Sequence, residues 1–93
     1  MNYENMSDEQ LNVKLKNAIF GDKWVTESAL SKWDFNNPAD AWPIIAANKI
    51  NIDFQYGSWP IAEYDEYIYT DKNPLRAAMI VFLMMQGHKE LGK

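Results

Sequence analysis

Residues 73–86, Asn-Pro-Leu-Arg-Ala-Ala-Met-Ile-Val-Phe-Leu-Met-Met-Gln, decide the fold. Asn73 has the side chain of a helix N-cap, and Pro74 fits the first helical position, where its missing N–H has no partner to lose. Leu75, Ala78, Met79, Phe82 and Met85 then recur at helical spacing, running toward Gly87. From Ala77 to Met85 the helix is apolar around its whole circumference, whereas a surface helix of a small domain needs only one stripe. Two outcomes follow. Either the rest of the chain wraps this helix completely, or a surplus face with Met79, Met84 and Met85 as adaptable contacts joins a second copy or a host protein. The apolar run is about half of what a membrane span needs, so no membrane association is expected.

The same punctuation occurs earlier, at Asn37-Pro38-Ala39-Asp40, and predicts a helix with Trp42, Ile45 and Ala46 on one face, ending near Asn48. Pro43 should tighten its first turn without abolishing it. Ser7 and Gln10 have capping-box spacing and predict a helix from about Asp8 to Phe20, with Gly21 as its C-cap. The stretch from Asp22 to Asn36 has no clean period and reads as an irregular connection ending in a short strand near Lys32–Phe35. After Lys49 the period becomes two, with Ile50, Ile52, Phe54 and Tyr56 on one face. Gly57-Ser58 suits a two-residue hairpin, which sets Ile61 opposite Phe54. A last strand, Tyr67 to Thr70, follows a turn at Asp65-Glu66. The expected architecture is therefore a single α+β domain, α-β-α-β-β-β-α: three helices, a small antiparallel meander, and the C-terminal helix at the centre.

The 93 residues are 47% hydrophobic and 24% charged, a globular composition with enough apolar mass for one core. The absence of cysteine removes disulfides, thiol nucleophiles and thiolate metal sites, and with no apolar leader at the N-terminus it points to a reducing cytoplasm. A net charge of −4 disfavours nucleic-acid phosphate as a ligand. The charge is also uneven: between Lys49 and Lys72 there is no basic residue, while Asp53, Glu63, Asp65, Glu66 and Asp71 fall there. Tyr64, Tyr67 and Tyr69 lie among these acids and form a candidate protein-binding patch, or one that imitates nucleic acid toward a DNA-binding protein.

Catalytic chemistry is thin. The single histidine, His88, sits in the charged end of the last helix, where the dipole favours a cation. The four serines are explained as caps, turns and loops, and no glycine-rich phosphate loop is present. The acidic residues lack the spacing of a Ca²⁺ loop, and a small hydrolase would need one of them buried beside an apolar wall. No catalytic, cofactor or metal residues are assigned. Arg76 is a cation in the first helical turn, where the dipole opposes it. An ion pair with Asp71 or Asp40 would explain it, and a direct Arg76–Asp40 interaction is expected; otherwise Arg76 faces a partner.

The blocks Asn37–Ile45, then Asn48, Ile50 and Ile52, and residues 73–86 together resemble the NinX-like family of small temperate-phage and prophage proteins. The matching stretches, residues 37–56 and 73–86, cover over a third of the chain, with a looser similarity over residues 7–21, while Asp22–Phe35 and Glu63–Tyr69 look divergent. The resemblance implies a phage accessory protein acting in the host cytoplasm and supplies no catalytic residues. The expected function is non-enzymatic: binding of a host or phage protein through Tyr64, Tyr67, Tyr69, Met84 and Arg76, with homodimerisation as a further option. Nucleic-acid association or mimicry is the alternative, and hydrolysis the weakest.

Overall fold

The computed structural model describes residues 3–21, 32–54 and 57–91, leaving aside the side chains of 88–91. After a 3-10 turn at Tyr3–Asn5, the chain forms α1 (Asp8–Phe20), α2 (Pro38–Ala47), β1 (Asn51–Asp53), β2 (Ile61–Tyr64), β3 (Tyr67–Thr70) and α3 (Pro74–Leu91). The strands make an antiparallel sheet in the order β1-β2-β3. The α+β reading holds, and α3 is central: it packs against all three strands and against both other helices.

The local signals act as chemistry requires. Ser7 accepts from the Gln10 N–H while its own N–H donates to the Gln10 side chain, closing the capping box of α1. Asn37 Oδ1 accepts from Ala39 N at 3.1 Å, and Asn73 Oδ1 accepts from Leu75 N at 3.0 Å and Arg76 N at 3.4 Å. Gly21 ends α1 at a positive φ of 21°, with its N–H on Asn17 O. The helix expected to run toward Gly87 passes through it and continues to Leu91 as α3.

Burial resolves the surplus apolar face of α3. Ala77 to Leu83 and Met85 are all buried, and Met84 is half-buried against the same core. Leu11 and Leu15 of α1 and Ala41 and Ile45 of α2 cover one side, and Ala62 of β2 covers the sheet side. The helix is wrapped by its own chain.

Three expectations fail. No strand forms at Lys32–Phe35: Trp33 and Asp34 are irregular and Phe35 and Asn36 lie in a turn. Asp34 causes this, because its carbonyl accepts from Asn37 N and its carboxylate from Asn36 N, which bends the chain directly into α2. Residues 22–31, also part of the expected connection, lie outside the described residues. The strand after Lys49 is shorter than its alternation suggested, stopping at Asp53, and residues 55 and 56 lie outside the described residues. The register also differs by one: Ile61 pairs with Asp53, not Phe54. The physical reason is facial. The observed register sets Ile52 beside Ala62 and Ala62 beside Tyr69 on the helix side, whereas the expected one would have put Glu63 beside Ile52. The tight hairpin is the later one, where Tyr64 pairs with Tyr67 and Asp65 takes a positive φ of 56°.

Candidate functional site

The three helix starts converge on one polar cluster. Asn73 Nδ2 donates to Asn36 Oδ1 at 2.8 Å, and Asn36 Nδ2 donates to Asp8 Oδ2 at 3.2 Å. Asp8 Oδ1 pairs with Arg76 at 2.7 Å, and the Arg76 guanidinium also lies 3.7 Å from Asp71 and donates to the carbonyls of Tyr3 and Met6. Asp8, Asp40 and Asp71 thus stand where helix dipoles and Arg76 concentrate positive charge. The expected Arg76–Asp40 pair is absent, because Asp40 Oδ2 accepts instead from the Asp34 N–H at 3.1 Å. Of the two carboxylates weighed for Arg76, Asp71 is the partner, joined by Asp8, which lies 68 residues away in sequence.

Asp34 is the tuned acid of this cluster. Hydrogen bonds from the Asn12 side chain and the Asn36 backbone hold its carboxyl below the ordinary value of 3.8, against some desolvation. A lowered folded-state pKa stabilises the fold above the unfolded value and ceases to do so as the pH falls through the folded one. Asp34→Asn keeps an acceptor for both donors but removes the charge. Its stability deficit in urea unfolding should be full at about pH 6, well above the ordinary value, and shrink as the pH falls below that value toward the lowered folded one. A deficit that grows on acidification would disprove this assignment.

The cluster matches donors to acceptors and holds no nucleophile beside a base. Among the described residues, no group of three or more His, Asp or Glu side chains is placed to hold a metal ion. The His88 side chain lies outside the described residues.

The residues marked from sequence as an interaction surface do not form one exposed face. Only Tyr64 is exposed. Tyr67 and Tyr69 are half-buried on the helix side of β3, and Tyr69 meets Tyr3 edge-to-face with ring centroids 6.5 Å apart. Burial, reinforced by neighbouring acids, raises the pKa of both hydroxyls. Met84 is half-buried, and the Arg76 side chain is only 11% exposed, its guanidinium occupied within the chain. The caps Asn37 and Asn73 are structural, as read.

An exposed apolar surface lies elsewhere, on α2. Ala39, Trp42, Pro43, Ala46 and Ala47 are exposed at helical spacing, opposite the buried pair Ala41 and Ile45. Trp42 is 60% exposed and Phe54, just past β1, is 70% exposed. Between them runs a groove of about 400 Å³ lined by Trp42, Ile45, Ile50, Ile52, Phe54 and Leu75. The connection from α2 to β1 builds its floor. Ile50 N–H bonds Ile45 O at 3.0 Å and Lys49 N–H bonds Ala46 O at 3.2 Å, the paired closure of a Schellman motif. Lys49 occupies its left-handed position with a φ of 56°, where glycine is usual and another residue costs about 1 kcal/mol. That turn sets Ile50 and Ile45 together at the base of the groove.

Sequence reading missed this face because it sought the surplus on the longest apolar helix. The signal was present in α2, a ten-residue helix whose only charged side chain is Asp40. Asp40 is half-buried, so the solvent side is left to alanine, tryptophan and proline.

Among the described residues no helix is long and apolar enough to cross a membrane. No curated protein and no solved structure matches the chain. The family model described as Bacteriophage P22, NinX matches residues 2–86, running through both the helix starts and the segments that look divergent by eye. With a match over nearly its whole length, the chain belongs to the NinX family of bacteriophage P22.

Proposed function

We propose that this phage protein is a non-catalytic accessory module that acts in the host cytoplasm by binding a protein partner through the exposed face of α2 and the adjoining groove. One observation carries the reading. Trp42 and Phe54, the two most exposed of the described large hydrophobic side chains, both line one apolar groove. Aromatic anchors beside a preformed apolar depression are the usual composition of an interface centre, and their removal commonly costs 2 kcal/mol or more of binding, about thirtyfold in affinity.

The test is capture of partners from phage-infected lysate by the wild-type protein and by Trp42→Ala/Phe54→Ala. Both side chains are largely outside the core, so the variant should keep its fold by circular dichroism and lose the captured partner by at least about tenfold. Undiminished capture would refute this face as the binding site. If Tyr64→Ala abolished capture instead, the acidic tyrosine edge would be the interface.

A further inference from the structure

We infer that the groove takes an extended peptide segment, alternately apolar and basic, which adds as a fourth strand to the edge of β1 that no described residue pairs with. This rests on the protein-binding reading above and specifies the ligand. Among the described residues β1 pairs only with β2, and the strand order places it at the sheet edge. An edge strand presents unpaired N–H and C=O groups along one side, a template for another extended chain. The groove borders this edge: Asn51 and Ile52 of β1 line it together with Trp42 and Ile45 of α2. A strand laid there would run between β1 and Trp42 of α2.

The two faces of β1 dictate the alternation. Ile52 lies on the helix side, in the row with Ala62 and Tyr69, so every second residue of an added strand would point into the groove. Asn51 and Asp53 are exposed on the opposite side, and Asn51 Nδ2 reaches Glu63 Oε1 across the strands at 3.4 Å. The intervening residues of the peptide would therefore meet Asp53 and, one strand further, Glu63. From residue 50 to residue 71 the chain has no Lys or Arg, and among the described residues no ion pair forms at Asp53 or Glu63. Lys49 stands before the strand, which puts the preference for a basic residue at the Asp53 end. Cross-strand pairs of opposite charge are favourable and like-charge pairs are not. The same field opposes a second copy of this chain, whose β1 would bring more carboxylates to the edge.

With three residues of ladder, the backbone bonds fix register and direction while the groove supplies most of the attraction. The probe is an acetylated heptapeptide of alternating lysine and leucine, titrated into the ¹⁵N-labelled full chain. Amide shifts are expected at Ile50 to Phe54 and around Trp42 and Leu75, saturating in one step, and Trp42→Ala should weaken binding at least about tenfold. Two N-methylated versions, methylated at every lysine or at every leucine, each block one hydrogen-bonding edge of the strand. One is expected to bind and the other to fail. Equal affinity for both would overturn strand addition while leaving the groove as a protein-binding site. Equal binding of a glutamate–leucine peptide would overturn the charge assignment. Self-association through β1 in light scattering, or no binding of any peptide, would overturn the inference. The capture experiment with Trp42→Ala/Phe54→Ala decides the function separately.

Discussion

Phe35→Ala is expected to cost about 3–5 kcal/mol of folding stability, the range for truncating a fully buried aromatic. Phe35 is completely buried in the cluster formed by Leu11, Leu15, Ala41, Ile45 and α3. It belongs to no helix or strand, and its place is set by one turn. The Asn12 side chain accepts from Phe35 N–H at 3.0 Å while Asp34 closes the bend into α2. Those hydrogen bonds fix the backbone, so the cavity left by alanine cannot be filled by moving that turn without breaking them. Domains of this size hold about 5–15 kcal/mol in total, and the loss should bring the variant close to unfolding at ambient temperature. Urea denaturation followed by tryptophan fluorescence measures it. Phe35→Leu should recover most of the loss, and a cost below about 1 kcal/mol for alanine would show that Phe35 is not a core residue.

Arg76→Ala should cost about 2–3 kcal/mol. Breaking a buried ion pair typically costs more, but Asp8 is about half exposed and solvent screens that contact, so the upper range is discounted. What remains comes from the groups left behind: the carbonyls of Tyr3 and Met6 and the largely buried Asp71, whose other oxygen accepts from Asn73 N at 2.9 Å. The 3-10 turn at the N-terminus and the start of α3 should loosen together. Arg76→Lys keeps the charge but cannot reach two carboxylates and two carbonyls with a planar fork, so it should restore less than half. Thermal unfolding gives the magnitude, and limited proteolysis within residues 3–6 shows whether that turn has detached. Wild-type resistance at this site in Arg76→Ala would argue against the anchoring role.

These two residues mark the limit of what was legible. The starts of α1, α2 and α3 could be read from Ser7, Asn37 and Asn73 because a cap is settled by side chains three or four residues away. The α+β class followed from the change of period at Ile50, and the central place of α3 from its unbroken apolar circumference. The Asp65-Glu66 hairpin was legible for the same local reason. For the candidate site, α2 carried a readable excess of apolar residues, but which side of it the core would claim was not readable.

The sequence by itself determined where the helices begin, that a small meander lies between the second and third, and that the sheet segment is acidic without compensation. Only the tertiary structure decided the partner of Arg76, the β1–β2 register, the burial of Phe35, and the meeting of the exposed Trp42 and Phe54 at one groove. Caps and periodicities are contests between near neighbours, and composition settles them. Partners and exposed faces depend on which surfaces meet when the whole chain closes around α3. A residue such as Asp8, 68 positions from Arg76, enters that contest only then.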